Sequence, residues 1–167
     1  ANIITQLQTI VSSQIAPTDP AVVTVGSIHG GTKHNVIPNE VKLQLTLRSY
    51  TDEVRNETIS SIKKIVRGSA IAAGLNEEYY PIVEIKDEYT PAVFNNPDLV
   101  DKIQQSFVKS LGPENVVKVS PVMGGEDFGM FGRVEPIIPT ALFWLGAVNK
   151  RVYERALRED LTLPSLH

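Results

Sequence analysis

From Val41 to Arg48 the chain alternates without a break: Val41, Leu43, Leu45 and Leu47 interleave with Lys42, Gln44, Thr46 and Arg48. Side chains on a strand point to opposite faces with period two, so this segment is a strand with one dry and one wet face. The dry face needs a cover, because a slip of one residue would turn every apolar side chain into water. Two flanking segments can supply it. Ile3, Leu7, Ile10 with Val11, and Ile15 recur at helical spacing, with Asn2 placed to cap them. After the strand, Thr51 or Asp52 caps a long helix with Val54, Ile59, Ile62, Ile65, Val66 and Ala73 broadly on one side. Gly74 stands where a left-handed C-terminal residue belongs, and Leu75 folds back.

Pro17, Asp19 and Pro20 end the first helix, and residues 21–28 read as a β-branched strand closed by the Gly30-Gly31 turn. Residues 79–86 read as a further strand. The order helix, strand, strand, helix, strand is that of a ferredoxin-like split βαβ lacking its first strand. It implies an α+β unit over residues 1–90, an antiparallel sheet with both helices on one face.

Around Tyr89-Thr90-Pro91 the pattern resets. Asn96 caps a helix with Pro97 at its first position; Val100, Ile103, Phe107 and Leu111 line one face before Gly112-Pro113 stops it. Residues 116–119 read as a short strand, and Met123-Gly124-Gly125-Glu126-Asp127-Phe128 as a turn into a short helix. Residues 140–145 are apolar with little alternation, as in a strand buried on both faces. Residues 91–167 thus read as a second unit, a partial α/β segment.

Composition narrows the function. The 167 residues hold 16 Lys and Arg against 19 Asp and Glu, so no global charge points to nucleic acid. No apolar run approaches the roughly 18 residues of a membrane span, and no secretory signal opens the chain. The absence of cysteine removes disulfides, a thiol nucleophile and cysteine-bound zinc. Compartment stays open, with the cytoplasm preferred. Ala1 without an initiator Met, and an end at Leu166-His167, read either as cuts from a longer protein or as a trimmed domain.

His29, His34 and His167 sit in no His-x-x-x-His or His-x-x-Glu pattern, and no nucleophile elbow, phosphate loop or dinucleotide fingerprint is present. Two local features remain. Asn35 is held between Gly30-Gly31 and Pro38, and Arg48 follows on the wet face of the adjoining strand. An amide and a guanidinium on one sheet face bind a carboxylate; alternatively Asn35 bonds its own turn and Arg48 is merely solvated. Glu126 and Asp127, after Gly124-Gly125, are either dipole partners in a first helical turn or part of a site.

In order along the chain, Val22-Val23-Thr24-Val25-Gly26, Gly30-Gly31-Thr32, Asn35-Val36-Ile37-Pro38 and Leu47-Arg48 resemble the lid domain of one enzyme family. Met123-Gly124-Gly125-Glu126-Asp127-Phe128, Phe143-Trp144-Leu145-Gly146 and Leu163-Pro164-Ser165-Leu166-His167 resemble its catalytic domain. The family is the dinuclear metal-dependent amidohydrolases: aminoacylases, hippurate and auxin-conjugate hydrolases, and glutamate carboxypeptidases. The hippurate and auxin-conjugate branch is the nearest. The resemblance implies amide hydrolysis by a water between two divalent ions, zinc or manganese, acting on a small N-acyl amino acid or peptide-like substrate. It implies a homodimer through the lid, with no nucleic-acid or membrane partner. By the same resemblance Asn35 holds the substrate near its amide, and Arg48 grips the free carboxylate by reaching into the partner subunit's site. Gly124, Gly125 and Glu126 line the cleft, and His167 is the last metal ligand. The family's upstream ligands, its catalytic glutamate and its lid histidine have no counterparts here, so the chain alone is expected to be inactive. A lid acting only as a dimerisation module, or a ferredoxin-like domain binding an amino acid, would account for residues before 90. Both leave Gly124 to Phe128 and Leu166-His167 without a role.

Overall fold

Ala21–Gly30 (β1) and Val41–Ser49 (β2) pair antiparallel as a hairpin, with Val23 opposite Leu47, Val25 opposite Leu45 and Ile28 opposite Leu43. The structure is a computed structural model and describes residues 1–163. A bulge between Val25 and Ser27 shifts the phase of β1. That shift lets even-numbered Ile28 share a face with Leu43, while Val23 and Val25 upstream share it with Leu47 and Leu45. Along β2, Leu43, Leu45 and Leu47 are half-buried while Gln44, Thr46 and Arg48 are exposed, which is the face assignment the alternation demands.

The cover consists of two helices, Asn2–Thr9 (α1) and Asp52–Ala72 (α2). Leu7 and Ile10, both 0% exposed, meet Ile15, Val23, Val54, Ile62 and Val66 in one cluster, with Leu45 and Leu47 packed against it. Asn2 does not cap α1; it is the first helical residue, and Ala1 precedes it. Past Thr9 the helix widens into a π-helical turn, Ile10–Gln14, in which Ile15 N–H donates to the Ile10 carbonyl at 3.0 Å. This wider turn brings Ile15, five residues on, back to the face of Ile10, so both are buried. Thr51, not Asp52, caps α2: its Oγ1 accepts from Val54 N–H at 3.2 Å. At the other end Gly74 adopts φ +72°, and Leu75 N–H reaches back to the Ala70 carbonyl.

Residues 79–86 form no strand. After a short 3-10 helix, Glu77–Tyr79, they run on without a ladder, although Val83 packs on the core cluster. In a split βαβ the last strand lies beside the first, the strand the pattern lacks, so its backbone groups find no partner.

Residues 91–163 fold around Pro97–Leu111 (α3), capped by Asn96 Oδ1 on Leu99 N–H at 3.0 Å. The expected strands at 116–119 and 140–145 are absent as ladders. Instead, the Asn95 amide bonds both polar groups of Leu142, at 2.7 and 2.9 Å, and Asn96 N–H donates to the Thr140 carbonyl. One side chain there substitutes for a neighbouring strand. Phe107 on α3 packs edge-on to Phe143 at 5.0 Å, yet Trp144 and Leu145 are 63% and 82% exposed rather than buried on both faces. A further helix, Lys150–Glu159 (α4), is capped by Asn149.

Leu7→Ala is expected to cost about 2–5 kcal/mol, the range for emptying a full leucine site. Exposed Lys64→Ala on α2 should stay within about 0.5 kcal/mol. Urea denaturation of the two variants measures both. Similar midpoints would show that the cluster under the hairpin does not set the stability.

Candidate functional site

Because Leu47 faces the helices, Arg48 faces away from them, paired with Val22 at the end of the hairpin remote from its loop. Its Nη1 donates to the carbonyl of Met123. This contact brings the end of β2 to the start of the Gly124-Gly125-Glu126 run. Gly125 lies beside Thr90, and Glu126 is exposed immediately before a 3-10 helix, Asp127–Arg133. Thus Arg48, Gly124, Gly125 and Glu126 are gathered in one region although 75 residues separate Arg48 from Met123.

Asn35 does not join them. It lies in the exposed 31–40 loop, whose base is the Gly30–Val41 pair. At about 3.4 Å per residue, roughly 24 Å of extended strand separates Val41 from Arg48. Asn35 therefore lies on neither strand, so it shares no strand position with Arg48 on the sheet's outer face.

A second cluster lies beside the first, and sequence reasoning missed it. Asp52, in the first turn of α2, has both oxygens engaged by Arg133, at 2.7 and 3.2 Å. The Tyr89 hydroxyl lies 3.4 Å from each, donating to Asp52 and accepting from Arg133. The Arg55 guanidinium stacks 4.0 Å above the Tyr89 ring. The only signal available was the adjacency of two capping candidates, Thr51 and Asp52, of which one is surplus.

His29 on β1 and His34 in the loop are exposed, and the His167 position lies outside the described residues. Among the described residues no group of three His, Cys, Asp or Glu side chains is placed to hold a metal ion. These residues do not by themselves fit a two-metal centre. No described helix is long and apolar enough to cross a membrane.

The profile of peptidase family M20/M25/M40 matches residues 6–164. The N-acetyldiaminopimelate deacetylase of Streptococcus sanguinis (strain SK36) is 38% identical over 144 residues, covering 86% of this chain and 36% of that protein. Thermostable carboxypeptidase 1 of Saccharolobus solfataricus is 31% identical over 142 residues, covering 85% and 34%. A crystal structure from methicillin-resistant Staphylococcus aureus, of a protein proposed as an aminohydrolase, superposes with a TM-score of 0.64 at 28% identity. It covers 79% of this chain and 33% of its own. The chain spans about a third of the length of these relatives.

The hydrogen bond from Arg133 holds the Asp52 carboxyl below its ordinary value of 3.8, against the opposing effect of burial and with lesser help from the Arg133 charge, Tyr89 and Arg55. A lowered folded-state pKa stabilises fully above the ordinary value and is lost as pH falls below it. The contact between α2 and the 3-10 helix should therefore hold from neutral pH down to about 3.8, then weaken on further acidification. Asp52→Asn should remove that part of the acid transition, followed by amide hydrogen exchange of residues 127–133. An identical acid profile in the variant would refute the assignment.

Proposed function

Since the chain belongs to peptidase family M20/M25/M40, we propose that it is part of a hydrolase that cleaves the amide bond of small N-acyl amino acids or peptide-like substrates. One observation carries this reading. A guanidinium on the lid hairpin, Arg48, bonds the Met123 carbonyl and so stands beside the Gly124-Gly125-Glu126 loop. Arginine has five N–H donors. With one given to Met123, enough remain to grip a substrate carboxylate in the two-point geometry that arginine favours. In this reading residues 1–90 are the lid and 91–167 a segment of the catalytic domain, with Gly124, Gly125 and Glu126 lining the cleft.

The position of Arg48 beside its own chain's loop favours a role in its own subunit's site rather than the partner's. Asn35, on the exposed loop at the other end of β2, fits the complementary role. In a two-fold dimer formed through the lid it would reach the partner's substrate. The hairpin's outer edges, which no further strand joins among the described residues, are natural places for such pairing. Two divalent ions, zinc or manganese, are the cofactors proposed for the complete hydrolase, with His167 as the ligand candidate in this sequence. A dimerisation module alone would give the Arg48–Met123 contact no purpose.

Two outcomes test the proposal. In a complete hydrolase containing this sequence, Arg48→Ala should cost about 2–4 kcal/mol in kcat/KM for substrates with a free carboxylate, mainly through KM. Substrates amidated there should lose much less; equal losses would remove Arg48 from the carboxylate contact. The 167-residue chain alone, given zinc, manganese or cobalt, should not hydrolyse hippurate or N-acetyl amino acids above a metal-only control, because a catalytic centre needs several converging ligands and a base. Turnover that survives a chelate-and-restore cycle would show a complete site within these residues.

A further inference from the structure

Residues 48–52 and 123–133 are joined at two separate points. Arg48 on the Met123 carbonyl is one, and the fork of Arg133 on Asp52 is the other. Tyr89, just before the Thr90-Pro91 link between the two stretches of chain, bridges both members of the fork. The 3-10 helix that carries Arg133 has little freedom at its middle. Gly129 is buried there, and a Cβ on it would come within 3.0 Å of the Pro91 and Ala92 carbonyls. Gly129 thus sits against the Pro91-Ala92 backbone, with the 123–126 loop on one side of it along the chain and Arg133 on the other. Asp52 is free for this work because Thr51 supplies the helix cap.

We propose that Asp52, Tyr89 and Arg133 form a positioning clasp that docks the 3-10 helix on the start of α2 and thereby holds the 123–126 loop against Arg48. The functional meaning of that loop rests on the hydrolase reading, but the clasp itself does not. An isolated surface ion pair stabilises little. This one differs in its two-point fork, its shared tyrosine hydroxyl and the Arg55 cation over the tyrosine ring.

The chain has no cysteine, so a pair introduced at exposed Lys64 and Lys118 can be spin-labelled alone, and electron–electron resonance reads the distance between them. The parent chain should give one narrow distance population. Arg133→Gln and Asp52→Asn should each add a second, longer population, and the double variant should add no more than the worse single one. Exchanging the charges, Asp52→Arg with Arg133→Asp, should restore the narrow distribution. If both single variants keep it narrow, or if the exchange fails to restore it, the clasp is refuted. Should Asp52→Asn weaken α2 by losing a first-turn carboxylate, seen by circular dichroism, Arg133→Gln carries the test without touching that helix. Because the readout is a distance and not turnover, the clasp stands or falls independently of the hydrolase reading.

Discussion

The dry face of β2 can exist only while α1 and α2 cover it, and most of the remaining geometry descends from that burial. Leu7 and Ile10 below, with Val54, Ile62 and Val66 beside them, fix which way Leu45 and Leu47 point. Once Leu47 faces inward, Arg48 has to face outward. Burying Val54 and Ile62 also fixes how α2 enters from the turn after β2, with Thr51 closing its first N–H groups. Asp52 is then delivered, oxygens free, to Arg133. A charged contact between distant parts of the chain is thus set by apolar side chains that touch neither charge.

What could be read from the sequence follows how local each signal is. The alternation of β2, the Thr51 cap and Gly74 terminus of α2, and the Asn96-Pro97 start of α3 are written within a few residues, and the structure keeps them. Strands at 79–86, 116–119 and 140–145 depend on a neighbour, and β propensity alone carries no information about one. The π-helical turn after Thr9 is a packing adjustment that brings Ile15 under the sheet, and no periodicity announces it. α4 is a different case: Val152, Tyr153, Ala156 and Leu157 form an apolar stripe at helical spacing that sequence reasoning missed, although Ala156 is its only buried side chain.

The candidate site divides the same way. Arg48 and Gly124-Gly125-Glu126 are legible as residue patterns, but their meeting is a product of tertiary structure. Placing Asn35 with Arg48 on one sheet face treats the turn as part of the sheet, whereas Asn35 lies in the 31–40 loop and on neither strand. The Asp52–Arg133 fork leaves only the surplus capping candidate at Asp52 as a trace, since an arginine ending a short helix has many ordinary explanations.

The run from Ile137 to Leu145 bears on how the chain behaves in the company of its own copies. It carries no charge, and its bulky residues Ile137, Phe143, Trp144 and Leu145 lie open to solvent. Its backbone is satisfied only in part, through the Asn95 amide and Asn96. Such a segment is a template for intermolecular strand addition, and a concentrated solution supplies the missing neighbour. Pro139 interrupts the run near its start, and Lys150 and Arg151 bound it downstream, as gatekeepers do. Between Thr140 and Leu145 nothing of the kind intervenes, so colloidal stability rests on whatever covers that stretch.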